Sequence, residues 1–288
     1  MRKLLICIFL LSSLAVYAQQ ENFEFTFIPS GLNILPLKAN MQEARIGILY
    51  FPDNANLKVD IGNSIDLLRF SWKEEKVQLT FGIDFTAYAL STSSQGHRLQ
   101  IDALDGFFGG NASFSKVFDK NLLQLRLRII HNSAHMVDGH YDLIKNEWMD
   151  NTNPIPFTRD FGELTLGHVI TSSNLVLRYY GGTSYSTLIR PDFLKKWLFF
   201  TGFELSSNKI IGNVFSKPAN LFLAYQIDLR GLPVYAGNNN FIGGIKFGSW
   251  FEKGIVLYVN YYKGNNYFSE YYYRKVEKFG VGFFIDFF

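Results

Sequence analysis

The stretch RIIHNSAHMVDGHYD, Arg128 to Asp142, holds three of the five histidines of the chain together with Ser133, Asp138 and Asp142. Three kinds of chemistry compete for it. A histidine two residues from a serine on one strand face can take the hydroxyl proton, so His131 would be general base and Ser133 nucleophile, with a third group such as Asp138 holding the imidazole; Asn146, Glu147 and Asn153 in the same loop are equally available. Imidazole and carboxylate ligands from His131, His135, Asp138 and His140 could instead hold a zinc-like ion, although their spacing matches no established motif. The plainest alternative is a polar rim where a strand leaves an apolar environment. Choosing among them requires the elements that carry these residues.

The chain opens MRKLLICIFLLSSLAVYAQQ, with Arg2 and Lys3, an apolar run from Leu4 to Val16, and small residues before Gln19. This predicts a signal peptide over residues 1–18 and export of the mature chain. The only cysteine, Cys7, lies inside that segment, so no thiol chemistry is expected of the mature protein. Removing Arg2 and Lys3 from the 28 basic residues leaves 26 against 25 acidic ones, a balance that argues against nucleic acid as a partner.

The composition is rich in Phe (29), Tyr (16) and Gly (24), and no apolar run beyond residue 18 is long enough for a membrane helix. A period of two replaces it. In KVQLTFGIDFTAYAL the row Val77, Leu79, Phe81, Ile83, Phe85, Ala87 and Ala89 is wholly apolar, while Gln78, Thr80, Asp84 and Thr86 alternate with it. The closing KFGVGFFIDFF aligns Phe279, Val281, Phe283, Ile285 and Phe287 in the same way, which leaves the terminal Phe288 off that row. A two-sheet sandwich also alternates, but its strands average five or six residues; runs of ten or more match tilted strands crossing a bilayer.

The pattern predicts an all-β transmembrane antiparallel barrel over residues 43–288. Its twelve strands fall near 43–51, 57–71, 76–89, 106–117, 121–133, 160–170, 174–185, 196–205, 219–230, 240–250, 254–263 and 277–288. Tight connections alternate with long ones at 90–105, 134–159, 186–195, 231–239 and 264–276, which puts the long set outside the cell. SSNKIIGNVFSKPA is longer than that scheme expects, so the count could shift by a hairpin. Residues 19–42, with Pro29 and Pro36, form a lead-in lying in the periplasm or the lumen. Tyr50, Phe51, Trp72, Trp197, Trp250 and Tyr271 to Tyr273 are expected at the headgroup level.

The inward rows carry Asp60, Asp84, Arg126, Arg128, Glu163, Arg178, Asp228, Arg230 and Asp286. Charges of both signs facing across so narrow a barrel predict a paired network that fills the lumen. The rival is a narrow solute pore in which Arg126, Arg128, Arg178 and Arg230 favour anions. His97 and His168 are isolated, and the pairs Gly109-Gly110, Gly181-Gly182 and Gly243-Gly244 lie within strands, where they suggest bends or close backbone contacts.

The segments FIPSGLNILPLKANMQEARIGILY, IDLLRF, IDALDGFFGGNASF and HNSAH resemble a domain-of-unknown-function family of bacterial outer-membrane barrels across most of the mature chain. That resemblance implies location and fold. Locally, strand five puts Leu123, Leu125, Leu127 and Ile129 toward lipid and Gln124, Arg126 and Arg128 toward the lumen, so His131 and Ser133 continue the lipid-facing row. The pair resembles the His-x-Ser of two outer-membrane acyl hydrolases, phospholipase A and the lipid A 3-O-deacylase, in which an Asn or Glu orients the histidine. The resemblance implies ester hydrolysis with backbone N–H groups near Ser133 receiving the oxyanion; Ala134 stands where those enzymes tend to have Asn. Three functions are therefore carried forward. They are a structural or partner-binding envelope barrel, a hydrolase acting on phospholipid or lipopolysaccharide, and a pore. None of them specifies a cofactor.

Overall fold

The apolar alternation resolves into a closed wall. The computed structural model describes residues 22–94, 97–151 and 153–287; the predicted signal segment and Phe288 lie outside the described residues. The first strands are β1 (Phe23–Phe27), β2 (Ile46–Phe51), β3 (Asn56–Trp72), β4 (Val77–Ser94), β5 (His97–Phe118) and β6 (Asn121–Met136). A small hairpin, β7 (Tyr141–Asp142) and β8 (Glu147–Trp148), separates them from β9 (Phe157–Thr171), β10 (Leu175–Arg190) and β11 (Trp197–Val214). The chain ends with β12 (Lys217–Gly231), β13 (Tyr235–Phe247), β14 (Gly254–Asn265) and β15 (Lys275–Asp286). Leaving out β1, β7 and β8, twelve antiparallel strands close when β15 pairs with β2, from Val281↔Tyr50 to Ile285↔Ile46. Closure is what lipid demands, because an open edge would leave backbone N–H and C=O groups without partners.

Several strands outrun their apolar rows. The predicted loop at 90–105 is largely ladder, with Leu90 opposite Ala103, Ser91 opposite Ile101 and Thr92 opposite Gln100. SSNKIIGNVFSKPA is also hairpin: after an irregularity between Ser207 and Gly212, pairing resumes at Gly212↔Ala219, and the count stays at twelve. Both extensions escape a search for alternation because strands beyond the bilayer need no apolar face. Some expected headgroup aromatics face inward instead. Phe51, Trp250, Tyr271 and Tyr272 are buried, whereas Tyr50 and Trp197 are exposed on the outer wall.

The first wall strand is split. β1 pairs with the lower part of β3, Phe23↔Trp72 to Phe27↔Leu68, and β2 pairs with its upper part, Gly47↔Asp60 to Phe51↔Asn56. Pro29, which has no N–H to give a ladder, follows the end of β1. From there the chain turns inward, and residues 34–45 are buried throughout. The wall therefore starts within the predicted lead-in, at Phe23, and the luminal segment runs past residue 42 to Arg45. Arg178 donates to the carbonyls of Leu35 (2.8 Å) and Pro36 (2.9 Å), and Asn240 to that of Ala39 (2.7 Å). Lys38 meets Asp286 at 2.7 Å, which ties the segment to the last strand.

Candidate functional site

Inside the barrel, charge is matched residue by residue. Arg126 and Arg128 converge on Glu43 of the luminal segment, and Arg128 also meets Glu163 at 2.9 Å. Arg178 pairs with Glu204 at 2.7 Å, Arg230 with Asp228 at 2.8 Å, and Asp84 accepts from Ser64 at 2.5 Å. Asp286 also binds Lys246, and Asp60 binds Lys58. The sequence reading missed Glu43, Lys38 and Glu204. Their partners lie 26 to 248 residues away, so spacing offers no cue. Spaces beside residues 34–45 include about 70 Å³ near Lys38 and Glu204 and about 10 Å³ near Leu37 and Tyr180, and a larger one of about 860 Å³ is lined by Ser30 to Asn33 and Trp72.

The outer surface carries a different arrangement. On β6, Leu125, Leu127 and Ile129 are exposed while Gln124, Arg126, Arg128, Ile130 and Asn132 are buried. His131 and Ser133 continue the outward row. His131 stands ten residues above Asn121 at the foot of the strand. With a rise near 3.3 Å and a tilt near 40°, that is about 25 Å, the height of the apolar band. The pair therefore sits at the upper interface.

Asp160 of β9 is the direct cross-strand partner of His131, and its Oδ1 lies 2.6 Å from Nδ1. The Phe108 ring packs on the imidazole, centroids 5.0 Å apart. Asp138, chosen by sequence proximity, is exposed on the turn Asp138–His140, and among the described residues nothing joins it to His131. The carboxylate behind the imidazole comes instead from across the ladder, where strand register decides the neighbour. A signal for it existed, because Asp160 shares its outward row with Leu164 and Leu166, and an acid in an apolar row is anomalous.

Ser133 lies between Gly106 of β5 and Thr158 of β9. Residues two apart on a strand are separated by about 6.6 Å at Cα. With Nδ1 committed to Asp160, Nε2 is the nitrogen left for the hydroxyl. No hydrogen bond joins the two in this conformation. Ser133 is laddered on both sides, so its own N–H belongs to the sheet and is not open to an oxyanion as expected.

His140 points the other way. Its Nδ1 lies 2.6 Å from Asp102, and Tyr271 donates to the same carboxylate at 2.5 Å, beside an outer-mouth cavity of about 450 Å³. His131 and His140 thus lie on opposite sides of the wall with different carboxylates, and His135 is exposed. Among the described residues no group of three or more His, Cys, Asp or Glu side chains could hold a metal ion. His168 lies outward at the lower end, Nδ1 2.6 Å from the Tyr179 hydroxyl. The side chain of His97 is outside the described part.

A closed twelve-stranded wall, apolar outside and charge-filled inside, defines a β-barrel of the bacterial outer membrane. The chain belongs to the family described as "Protein of unknown function (DUF1207)", whose model matches residues 25–287. No curated protein matches it in sequence. Among solved structures it is similar to outer membrane phospholipase A from Escherichia coli, with a TM-score of 0.51 and 12% identity over 85% of this chain and 93% of that one. The β domain of the Bordetella autotransporter BrkA gives 0.43 and 10%, covering 84% and 96%. LpxR from Salmonella typhimurium gives 0.38 and 12%, covering 81% and 88%. At these identities the likeness is one of fold.

Proposed function

We propose that the protein is a lipid acyl-ester hydrolase of the outer leaflet, with Ser133 as nucleophile, His131 as base and Asp160 as the group that orients it. One observation carries the reading: the 2.6 Å contact between His131 Nδ1 and Asp160 on the lipid-facing wall, two residues from a serine. A carboxylate on Nδ1 fixes the tautomer that leaves Nε2 free to accept a proton. Ser133 Oγ attacks the ester carbonyl carbon as its proton passes to Nε2. The tetrahedral intermediate then collapses, the C–O bond to the alcohol breaks, and the leaving alkoxide takes that proton. Water repeats the sequence to release the fatty acid. Thr158 stands across from Ser133, and its hydroxyl, which donates to the Asn132 carbonyl at 3.0 Å, would have to turn from that bond to serve the oxyanion.

The luminal segment and its ion pairs weigh against the pore. The wider reading, an envelope barrel with a structural or partner-binding role, needs no dyad on the lipid face. The experiment is fatty-acid release from phospholipid or lipopolysaccharide by purified protein in micelles. The wild type should be active, and Ser133→Ala should lower the rate by about 10²-fold or more. Equal release by the variant would overturn the assignment, and silence of the wild type would leave the structural barrel.

A further inference from the structure

The outer wall around Ser133 can be followed across strands by register. At the level of Ser133 the row reads Gly106, Ser133, Thr158, Arg190; at His131 it reads Phe108, His131, Asp160, Leu188. One step lower it reads Ile83, Gly110, Ile129, Gly162, Tyr185. Ile129 is 68% exposed, a ridge with a glycine on each side. A Cβ placed on Gly162 would come no nearer than 4.0 Å to any atom, the Arg128 carbonyl, and one on Gly110 no nearer than 3.6 Å, the Gly82 carbonyl. No side-chain atom outside the adjacent residues comes within 4 Å of either Cβ position. Adjacent strands lie about 4.8 Å apart, so each glycine floors a slot about as wide as one polymethylene chain.

Arg190 closes the upper row. It is exposed on the outward face, two strands from Ser133, a Cα separation of about 10 Å. Its guanidinium donates to the Ile189 carbonyl at 2.9 Å, and among the described residues it has no carboxylate partner. A cation of this kind at the headgroup level is suited to a phosphate.

We infer that the site takes a phosphate-bearing diacyl lipid, with Arg190 on the phosphate and the slots at Gly110 and Gly162 receiving acyl chains below the dyad. The chemistry rests on the hydrolase reading, whereas the recognition is a binding property that can be read separately. Two sources of the phosphate, a glycerophospholipid headgroup and the phosphorylated glucosamine of lipopolysaccharide, satisfy the same contacts.

The test uses the purified full chain in neutral micelles with three probes: phosphatidylglycerol, lipopolysaccharide and uncharged diacylglycerol. Retained lipid is measured by native mass spectrometry, alongside hydrolysis of long-chain and butyrate esters. The wild type should retain a phosphate-bearing lipid over diacylglycerol, and the better retained of the two identifies the source. Arg190→Gln should shrink that preference about fivefold, with Arg190→Lys restoring part of it. Gly162→Leu, checked for folding by heat-modifiable migration, should lower the long-chain to butyrate rate ratio about tenfold, and Gly110→Leu should act in the same direction. Equal retention of charged and uncharged lipid by the wild type, or unchanged ratios in the variants, would overturn the inference. Selective retention without any hydrolysis would sustain it and instead remove the hydrolase assignment.

Discussion

His131 gives one ring nitrogen to Asp160 and keeps the other, and that division is hard to explain as a means of holding the wall together. The two side chains are 36% and 45% exposed, so their hydrogen bond is worth about 0–1 kcal/mol to stability. Its effect is on orientation. Asp160→Ala should therefore leave micellar unfolding nearly unchanged while lowering kcat about 10²- to 10⁴-fold, with little change in KM. Asp160→Glu should recover part of the rate. A variant in which unfolding shifts and kcat does not would make the dyad a structural pair. Alternation alone gives the side on which His131 and Ser133 emerge. Asp160 is harder to find, because β9 follows a loop of some twenty residues, and only the ladder determines which of its residues faces His131.

The loops form the next scale, where apolar periodicity carries no information. Two of them cap the outer mouth. The loop after β14 sends Tyr267 to Tyr272 inward, with Ser269 N–H bonding Asp105 at 3.1 Å and Tyr88 donating to the Tyr267 carbonyl at 3.0 Å. The loop after β6 meets it there: Ile155 N–H donates to Glu270 at 3.0 Å, and His140 shares Asp102 with Tyr271. Burial disfavours the charge on His140, but the hydrogen bond and charge of Asp102, with Asp150 and the Met149 carbonyl, outweigh it, and the pKa rises above the ordinary 6.5. With the folded value raised, the stabilisation is complete below the unfolded pKa and fades as pH rises through the folded one. Backbone amide exchange over residues 137–151 should therefore quicken, beyond its intrinsic base catalysis, as pH rises from the ordinary imidazole value of 6.5 through the raised folded one. His140→Ala should exchange fast throughout, with no such excess. An identical excess in the variant would mean that another group closes the loop. Tyr271 and Tyr272 looked like headgroup aromatics because their amphipathic rings fit either setting; Asp102, with which Tyr271 pairs, stands 169 residues earlier.

At the scale of the whole molecule, wall and interior depend on each other. Long strands, an even count and a lumen of mixed charge follow from alternation and inward-facing acids and bases. The luminal course of residues 34–45 does not, since a segment without periodicity folds by what receives it. What receives it is a set of arginines that the wall alone leaves short of acid. Glu204 answers Arg178, and Asp228 answers Arg230, but Arg126 and Arg128 have Glu163 and need Glu43 as well. Removing one member of a buried ionic cluster leaves charge unpaired in a low dielectric, at about 3–5 kcal/mol. Glu43→Ala should therefore lower the temperature at which the barrel becomes heat-modified on a gel. Glu43→Gln, which keeps the shape and some hydrogen bonding, should lower it less. The same change tests the seal. Wild-type protein in a planar bilayer should carry no steady current, because residues 34–45 are buried across the lumen and tied to its wall by Lys38–Asp286, Glu43–Arg126 and the Arg178 contacts to Leu35 and Pro36. Loosening the segment at Glu43 should produce intermittent openings with an anion preference, since Arg126 and Arg128 would then line the path with Glu163 as their remaining paired acid. Steady wild-type conductance would show that the segment leaves the lumen in the membrane, and cation-selective openings in Glu43→Ala would show that these arginines do not set the field inside.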